Sequence, residues 1–133
     1  MLNTEIRTIP HLRHRYPTVG DYFNEYEKLI IHVSDMKNEK YEFLVAIHEQ
    51  IEEFLTRLRG IKEEAITEFD KRYEDNRAEN DYSEPGDSSL APYIREHQFA
   101  TFVEKMIAIE LGVDWKEYEE AIIHLDEPTN TGA

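Results

Sequence analysis

Apolar residues between positions 38 and 59 recur at intervals of three and four, which is the period of an α-helix that buries one face. The residues on this predicted face are Phe43, Leu44, Ile47, Ile51, Phe54, Leu55 and Leu58. Gly60 follows the last of them. Glycine often ends a helix because it adopts the left-handed conformation without strain. The pattern therefore predicts a long first helix over 38–59.

Three later segments show the same helical period. Residues 61–78 form a highly charged second helix with a narrower apolar stripe, and Pro92 suits an early position in a third helix that runs to Leu111. Asp114 and Glu117 resemble a capping box that opens a fourth helix. Residues 80–91 are rich in Asp, Ser, Pro and Gly, which predicts a loop. The residues predicted to face inward from the third helix are Phe99, Phe102, Val103, Met106 and Ile107.

Two short runs of aromatic and β-branched residues, 19–23 and 29–34, precede the first helix and predict a β-hairpin. Residues 1–15 have no clear period, which suggests a flexible arm, and residues 127–133 suggest a disordered tail. We therefore expect one domain over 1–126. Its fold class is mainly α (α+β), a four-helix domain with a short N-terminal β-hairpin.

Composition limits the classes of protein to which the chain can belong. Its 133 residues are 40% hydrophobic, which suits a single core. No apolar run approaches the roughly 18 residues of a membrane span, and no charged-then-apolar leader opens the chain. The absence of cysteine excludes disulfides, thiolate catalysis and zinc sites with Cys ligands. These features favour a cytoplasmic protein without a membrane segment.

The chain is strongly acidic, with 29 Asp and Glu against 15 Lys and Arg and a formal charge of −14. Such a charge repels phosphate backbones, so we expect no direct nucleic-acid partner. The only basic cluster is a short one near the N-terminus, formed by Arg7, His11, Arg13, His14 and Arg15. An acidic surface suits cations or a basic protein partner instead.

The strongest chemical signal is the His-Glu-x-x-Glu run at 48–52 of the first predicted helix. Residues four apart lie one turn above each other, so His48 and Glu52 can direct an imidazole and a carboxylate at one ion. The third predicted helix carries a similar pair at the border of its apolar face. If the two borders meet, the metal ligands are His48, Glu52, His97 and Glu104. This mixed nitrogen and oxygen set suits zinc, manganese or iron.

Glu49 is the candidate catalytic residue, because a carboxylate beside a metal can act as a general base toward water. The competing interpretation is a hydrogen-bond network between helices, which satisfies the same buried polar groups without a metal. Additional weaker candidates for the site are Glu68, Asp70, Glu84 and Asp87.

Two known metal patterns bear on this site. The run resembles the His-Glu-x-x-His signature of zinc peptidases, but Glu52 replaces the second histidine, which argues against peptidase activity. All-helical nucleoside triphosphate pyrophosphatases of the MazG type hold magnesium with Glu-x-x-Glu on one helix and Glu-x-x-Asp on the next. Glu49 and Glu52 match the first half of that pattern. The following helix offers Glu64, Glu68 and Asp70, but not at the second spacing.

Several motifs are similar to those of small uncharacterised proteins from bacteria and phages. They include Tyr41-Glu42-Phe43-Leu44, His48-Glu49, Glu84-Pro85-Gly86-Asp87, Ala91-Pro92-Tyr93 and Glu96-His97. The resemblance implies a folded unit and draws attention to His48 and His97, but it implies no activity.

The leading hypothesis is a small helical protein that binds a divalent metal between its first and third helices; if it is an enzyme, the expected chemistry is metal-dependent hydrolysis. The competing hypothesis is a non-enzymatic phage accessory protein whose acidic second helix and 80–87 loop bind a basic protein partner. A homodimer through the last two helices, with Trp115 and Tyr118 in the contact, is a further hypothesis.

Overall fold

The computed structural model describes residues 1–126, so the expected disordered tail at 127–133 lies outside the described residues. It contains four α-helices and a small sheet of three strands. The elements in chain order are β1 (Asn3–Ile9), β2 (Gly20–Glu25), β3 (Lys28–Ser34), α1 (Glu39–Leu58), α2 (Glu63–Asp75), α3 (Ile94–Leu111) and α4 (Trp115–His124). The predicted helical character and the four helices are confirmed. The fold is nevertheless a mixed α+β domain and not a pure four-helix domain.

The predicted hairpin is present as β2 and β3, which pair antiparallel. They are joined at Tyr26 and Glu27, which both have positive φ, as two-residue hairpin turns require. The sheet has a third strand because β1 pairs parallel with the other edge of β3, giving the order β1-β3-β2. Residues 3–9 are therefore a strand and not part of a flexible arm. The sequence of β1 is mostly polar and has no strand pattern, so its position depends on the free edge of the buried strand β3.

The sheet packs against α1 and forms the core with it. Leu29, Ile31 and Val33 of β3 meet Leu44 and Val45 of α1 in one buried cluster. An apolar layer of this kind, between one face of a sheet and one helix, is a common solution for a small α+β domain.

Strand β2 lies close to α1 at Gly20. A Cβ at this position would lie 2.7 Å from Oε1 of Glu49 and 2.7 Å from Cγ1 of Val45. The glycine therefore allows the sheet to lie directly against the helix that carries the His-Glu-x-x-Glu run.

Helices α1 and α3 pack side by side and run antiparallel. Lys40 at the start of α1 donates to the backbone oxygen of Leu111 at the end of α3, at 3.2 Å. At the opposite end, Arg59 donates to Glu96 at 2.6 Å. The middle of α1, with the His-Glu-x-x-Glu run, therefore lies opposite the middle of α3.

The faces that the two helices bury differ from the predicted ones. Phe99, Phe102 and Met106 were predicted to face inward, and this is wrong because about half of each side chain or more is exposed. Phe54 and Leu58 of α1 are exposed in the same way. The buried residues of α3 are Glu96, His97, Ala100, Glu104 and Ala108. The small alanines let α1 come close, so the polar border of each helix turns inward and the large apolar residues turn outward.

Among the described residues, no helix combines the length and the apolar character that a membrane span requires.

Candidate metal centre

The inward faces of α1 and α3 form one wall of a cavity of roughly 560 Å³. The other residues that line it come mainly from the segment before β2, the first half of β2, helix α2, residues 79–86 and helix α4. Polar side chains that line the cavity include Tyr16, Asp21, Tyr22, His48, Glu49, Glu52, Asp70, Glu84, Tyr93 and His97. The predicted site residues therefore lie beside an internal space that a small molecule can enter.

Three atoms that can each donate a lone pair to a metal ion lie close together at the cavity wall; they are called the donor triangle below. Nε2 of His48 lies 3.0 Å from Oε2 of Glu52 and 3.2 Å from Nδ1 of His97. Nδ1 of His97 lies 2.9 Å from the same carboxylate oxygen. All three residues are buried. The structure thus brings together three of the four predicted ligands from two helices, although Glu52 and His97 are 45 residues apart in sequence.

This triangle has the dimensions of a metal ligand set. Tetrahedral zinc with bonds of about 2.0–2.1 Å places its ligand atoms about 3.3 Å apart, so small outward movements would admit an ion. The two ring nitrogens also face each other. Only one of them can donate to the other, whereas a cation at the centre of the triangle would engage both lone pairs and the carboxylate together.

Glu104, the fourth predicted ligand, lies on the opposite side of the His48 ring. Its Oε1 is 2.7 Å from Nδ1 of His48, so it is outside the triangle of donor atoms. A carboxylate in this position accepts the Nδ1 proton and leaves Nε2 free to bind an ion, as outer carboxylates do in many zinc sites. Tyr22 has a similar supporting role, because its hydroxyl donates to Oε1 of Glu52 at 3.0 Å.

In the metal-free cluster, charge is balanced by close pairing. Burial opposes the charged form of His48, but the hydrogen bonds to Glu104 and Glu52 outweigh it and raise the pKa of His48 well above 6.5. His97 behaves in the same way, with its pKa raised by Asp87 and Glu52 against the effect of burial. Burial also opposes ionisation of Glu52, but its bonds to the two imidazoles lower its pKa to about 2. Without a metal, the cluster is therefore an ion-pair network.

Glu49, the predicted catalytic residue, lies on the cavity wall next to this triangle and is not a member of it. It is half-buried, and no hydrogen bond or ion pair joins it to another residue of the described part of the chain. Burial and the nearby charge of Glu52 raise the pKa of Glu49 well above its ordinary 4.5. A raised pKa brings a carboxyl group closer to the range in which it exchanges protons near neutral pH.

The weaker candidates have different surroundings. Glu84 and Asp87 lie beside the outer nitrogen of His97, at 3.1 Å and 3.2 Å. Glu68 pairs with Arg72 on the exposed side of α2 and takes no part in the cluster. Asp70 enters the cavity but does not reach the donor triangle. The second helix therefore adds no carboxylate to the group of three donors.

A tyrosine pair around Asp70 was not predicted from the sequence. Tyr16 donates to Oδ2 of Asp70 at 2.9 Å, and Tyr93 donates to Oδ1. These residues come from three separate segments of the chain, so no spacing in the sequence announces the cluster. Burial raises the pKa of Asp70 from 3.8 to about 7 even though both hydroxyls stabilise its charge.

Because the pKa of Asp70 is raised on folding, its contribution to stability depends on pH. The folded state keeps the Asp70 proton up to pH about 7, whereas the unfolded chain releases it near 3.8. The contribution of Asp70 is therefore fully present below pH 3.8 and is lost as the pH rises to 7, by about 4 kcal/mol. We expect Asp70→Asn to be the more stable protein at pH 8 and the advantage to vanish near pH 4, in urea titrations followed by circular dichroism. Asp75→Asn, at an exposed position of the same helix, should leave the pH dependence unchanged. An unchanged pH dependence in Asp70→Asn would contradict the raised pKa.

Comparisons of the chain with models of known protein families, with curated proteins and with solved structures gave no match. The likeness to small bacterial and phage proteins therefore stays a prediction from the motifs.

Proposed function

We propose that this protein binds a divalent metal through Nε2 of His48, Oε2 of Glu52 and Nδ1 of His97, and that it is a metal-dependent hydrolase. The observation that carries the proposal is the convergence of these three atoms, each 2.9–3.2 Å from the other two, beside a cavity. Three protein ligands and one open position are the usual arrangement of catalytic zinc.

The ligand set narrows the choice of metal. Two imidazoles and one carboxylate occur in zinc hydrolases, and the same three groups also suit manganese and iron. We therefore place zinc first and keep manganese and iron as alternatives. In this proposal Glu104 is not a ligand. It orients His48 by accepting its Nδ1 proton, a supporting contact whose loss typically weakens metal binding 10- to 100-fold.

Glu49 is the residue that we assign to proton transfer. It lies one position after a ligand, borders the cavity and has no competing partner among residues 1–126. A metal held by the triangle would supply Lewis-acid chemistry toward water, and the Glu49 carboxylate would accept the proton that the water loses. Tyr22 holds the ligand Glu52 by a hydrogen bond and so fixes its orientation.

The carboxyl groups that line the cavity carry less negative charge than their number suggests. Asp21 pairs with Arg15 at 2.7 Å, and burial raises the pKa of Glu49 and of Asp70, which favours their neutral forms. The charge of the lining therefore does not select the substrate. The alternative of a magnesium-dependent nucleotide pyrophosphatase of the MazG type is disfavoured because α2 adds no carboxylate to the proposed ligands.

Metal analysis tests the proposal. Protein purified without a metal-affinity tag and then reconstituted with zinc, manganese or iron should retain at least one equivalent by elemental analysis after dialysis, one of them bound at the triangle. His48→Ala should lose this equivalent, because two ligands rarely retain a metal. His32→Ala is the matched control, since His32 lies in β3, packs on Phe23 and is outside the donor group. Wild-type protein that stays metal-free with all three ions would overturn the proposal.

The competing function, a non-enzymatic module for a basic partner, has less support. Two of the acidic residues on α2 already have partners: Glu63 accepts from Asn24 at 3.1 Å, and Glu68 pairs with Arg72. Under that function, alanine at Glu63, Glu64 and Glu68 would weaken binding to a basic protein, while His48→Ala would alter stability alone.

A further inference from the structure

We propose a second divalent-cation position, formed by Oε2 of Glu84, Oδ1 of Asp87 and Nε2 of His97. It deepens the proposed function, on which it rests, because His97 would lie between two cations and bind one with each ring nitrogen. The second position has a different ligand chemistry from the first, with two carboxylates and one imidazole.

The outer nitrogen of His97 carries the argument. It is buried, in a residue that exposes only 5% of its surface, and it makes no hydrogen bond among the described residues. A buried polar atom without a hydrogen bond is uncommon and calls for a partner. The carboxylates of Glu84 and Asp87 lie 3.1 Å and 3.2 Å from it, within ion-pair distance but not in hydrogen-bond geometry.

The loop that supplies the carboxylates is fixed against the imidazole. Pro85–Asp87 forms a single 3-10 turn, closed by a hydrogen bond from the backbone N–H of Asp87 to the oxygen of Glu84 at 3.0 Å. Gly86 lies so close to the ring that a Cβ there would be 2.4 Å from Cγ of His97. The turn thus holds Glu84 and Asp87 near the same nitrogen, and all three donor atoms lie within 4.8 Å of one another.

Exposure distinguishes the two positions. The first is enclosed by buried side chains, whereas the Glu84 and Asp87 side chains are 48% and 56% exposed, so an ion bound by them would keep water ligands. An oxygen-rich, hydrated site of this kind suits manganese or magnesium better than zinc. Filling both positions requires His97 to release both ring protons to solvent, as ligands must be deprotonated to bind metal.

Counting bound ions tests the second position. Wild-type protein titrated with Mn²⁺ should bind two equivalents, and the double variant Glu84→Gln and Asp87→Asn should bind one. The matched control is Glu79→Gln with Asp81→Asn, which removes the same charge from the neighbouring loop and should keep two. Loaded with Cu²⁺, the wild type should show magnetic coupling between its two ions through the shared imidazole in electron paramagnetic resonance, and the double variant should not.

The outcomes separate the two proposals. One equivalent in both wild type and double variant would overturn the second position and leave the first intact. Two equivalents in the double variant would place the second ion elsewhere and also overturn it. No binding at all in the wild type would overturn both proposals.

The outward faces of α1 and α3 support a separate inference, namely that two copies of this chain form a dimer through them. Six large apolar side chains on these faces are each 45–68% exposed, namely Phe43, Phe54, Leu58, Phe99, Phe102 and Met106. A groove between α1, α3 and the N-terminal end of the sheet, lined by residues such as Leu2, Ile51 and Val103, adds further apolar surface.

A second copy fits this surface by area and by shape. At about 200 Å² for each large side chain, the six expose roughly 650 Å², which approaches the roughly 800 Å² that each partner contributes to a standard interface. The face has both projecting rings and a groove, so it can be complementary to itself under two-fold symmetry. Two antiparallel helix pairs would then form a four-helix interface. This differs from the sequence-based hypothesis of contact through Trp115 and Tyr118, because Tyr118 is buried within the chain.

Sedimentation at several protein concentrations tests the dimer. We expect a dimer for the wild type and a monomer with unchanged helical circular dichroism for Phe102→Glu, because a charge cannot be buried in an apolar contact without a large cost. Leu12→Glu, at another exposed apolar residue far from these helices in sequence, should remain dimeric. The inference would be overturned if the wild type stayed monomeric over the whole concentration series, or if Phe102→Glu remained a dimer.

Discussion

Replacing Glu52 by alanine is expected to lower the free energy of unfolding of the metal-free protein by about 3–5 kcal/mol. The carboxylate accepts from three buried groups: the hydroxyl of Tyr22 and one ring nitrogen each of His48 and His97. Its removal leaves those donors without an acceptor and two imidazoles without their shared counter-charge. A buried donor has given up its hydrogen bonds to water on folding, and without an acceptor in the protein nothing replaces them.

Urea denaturation followed by circular dichroism, in the presence of a chelator, measures this loss. Glu53→Ala is the matched control, because Glu53 is the next residue, is equally buried and pairs with the half-exposed Arg57 at 2.7 Å. Arg57 can turn to water when its partner is removed, so we expect the control to lose only about 1 kcal/mol. A loss below about 1 kcal/mol for Glu52→Ala would contradict the role of Glu52 as the centre of the buried network.

Gly86→Ala is expected to displace His97 and to weaken metal binding by about 10- to 100-fold, in the range seen when a ligand loses its correct orientation. The added Cβ would lie 2.4 Å from both Cγ and Nδ1 of His97. No real contact is that short, so either the ring or the 84–87 turn must move. The ring is itself bonded to Glu52 on one side. Overpacking of this kind also costs about 1–3 kcal/mol of stability.

Isothermal titration with zinc, together with urea denaturation, measures both effects of Gly86→Ala. Gly60→Ala is the control, because Gly60 has a φ of +73° but a Cβ there would meet nothing within 4 Å. Backbone strain should make the control less stable by about 1 kcal/mol and leave metal affinity unchanged. Wild-type affinity in Gly86→Ala would show that the position of His97 does not control metal binding.

Part of the candidate site was visible in the sequence because it depends on local geometry. His48 and Glu52 are four residues apart on one helix, so helical periodicity alone places them one turn apart. The same reasoning placed His97 and Glu104 on a shared border of the third helix. The meeting of the two borders was a hypothesis, and the structure brings His48 and His97 to 3.2 Å between their nitrogens.

Other parts of the site were not visible because they depend on contacts between distant segments. Tyr16, Tyr22 and Tyr93 reach Glu52 or Asp70 from a loop, a strand and the start of a helix. The role of Glu104 could be recognised only in the structure. Its position on the helix does not specify which nitrogen of a facing histidine the carboxylate will contact.

The sequence by itself determined the four helices, the hairpin and the loop before the third helix, because period, capping residues and turn residues act over a few positions of the chain. Only the tertiary structure decided the third strand and the orientation of α1 and α3. A helix with an apolar side and a polar border can turn either of these faces toward a neighbouring helix. The side chains that the neighbouring helix presents decide which face it is. Here the alanines of α3 let the helices approach through their polar borders, where His48, Glu52 and His97 satisfy one another, and leave the phenylalanines facing outward.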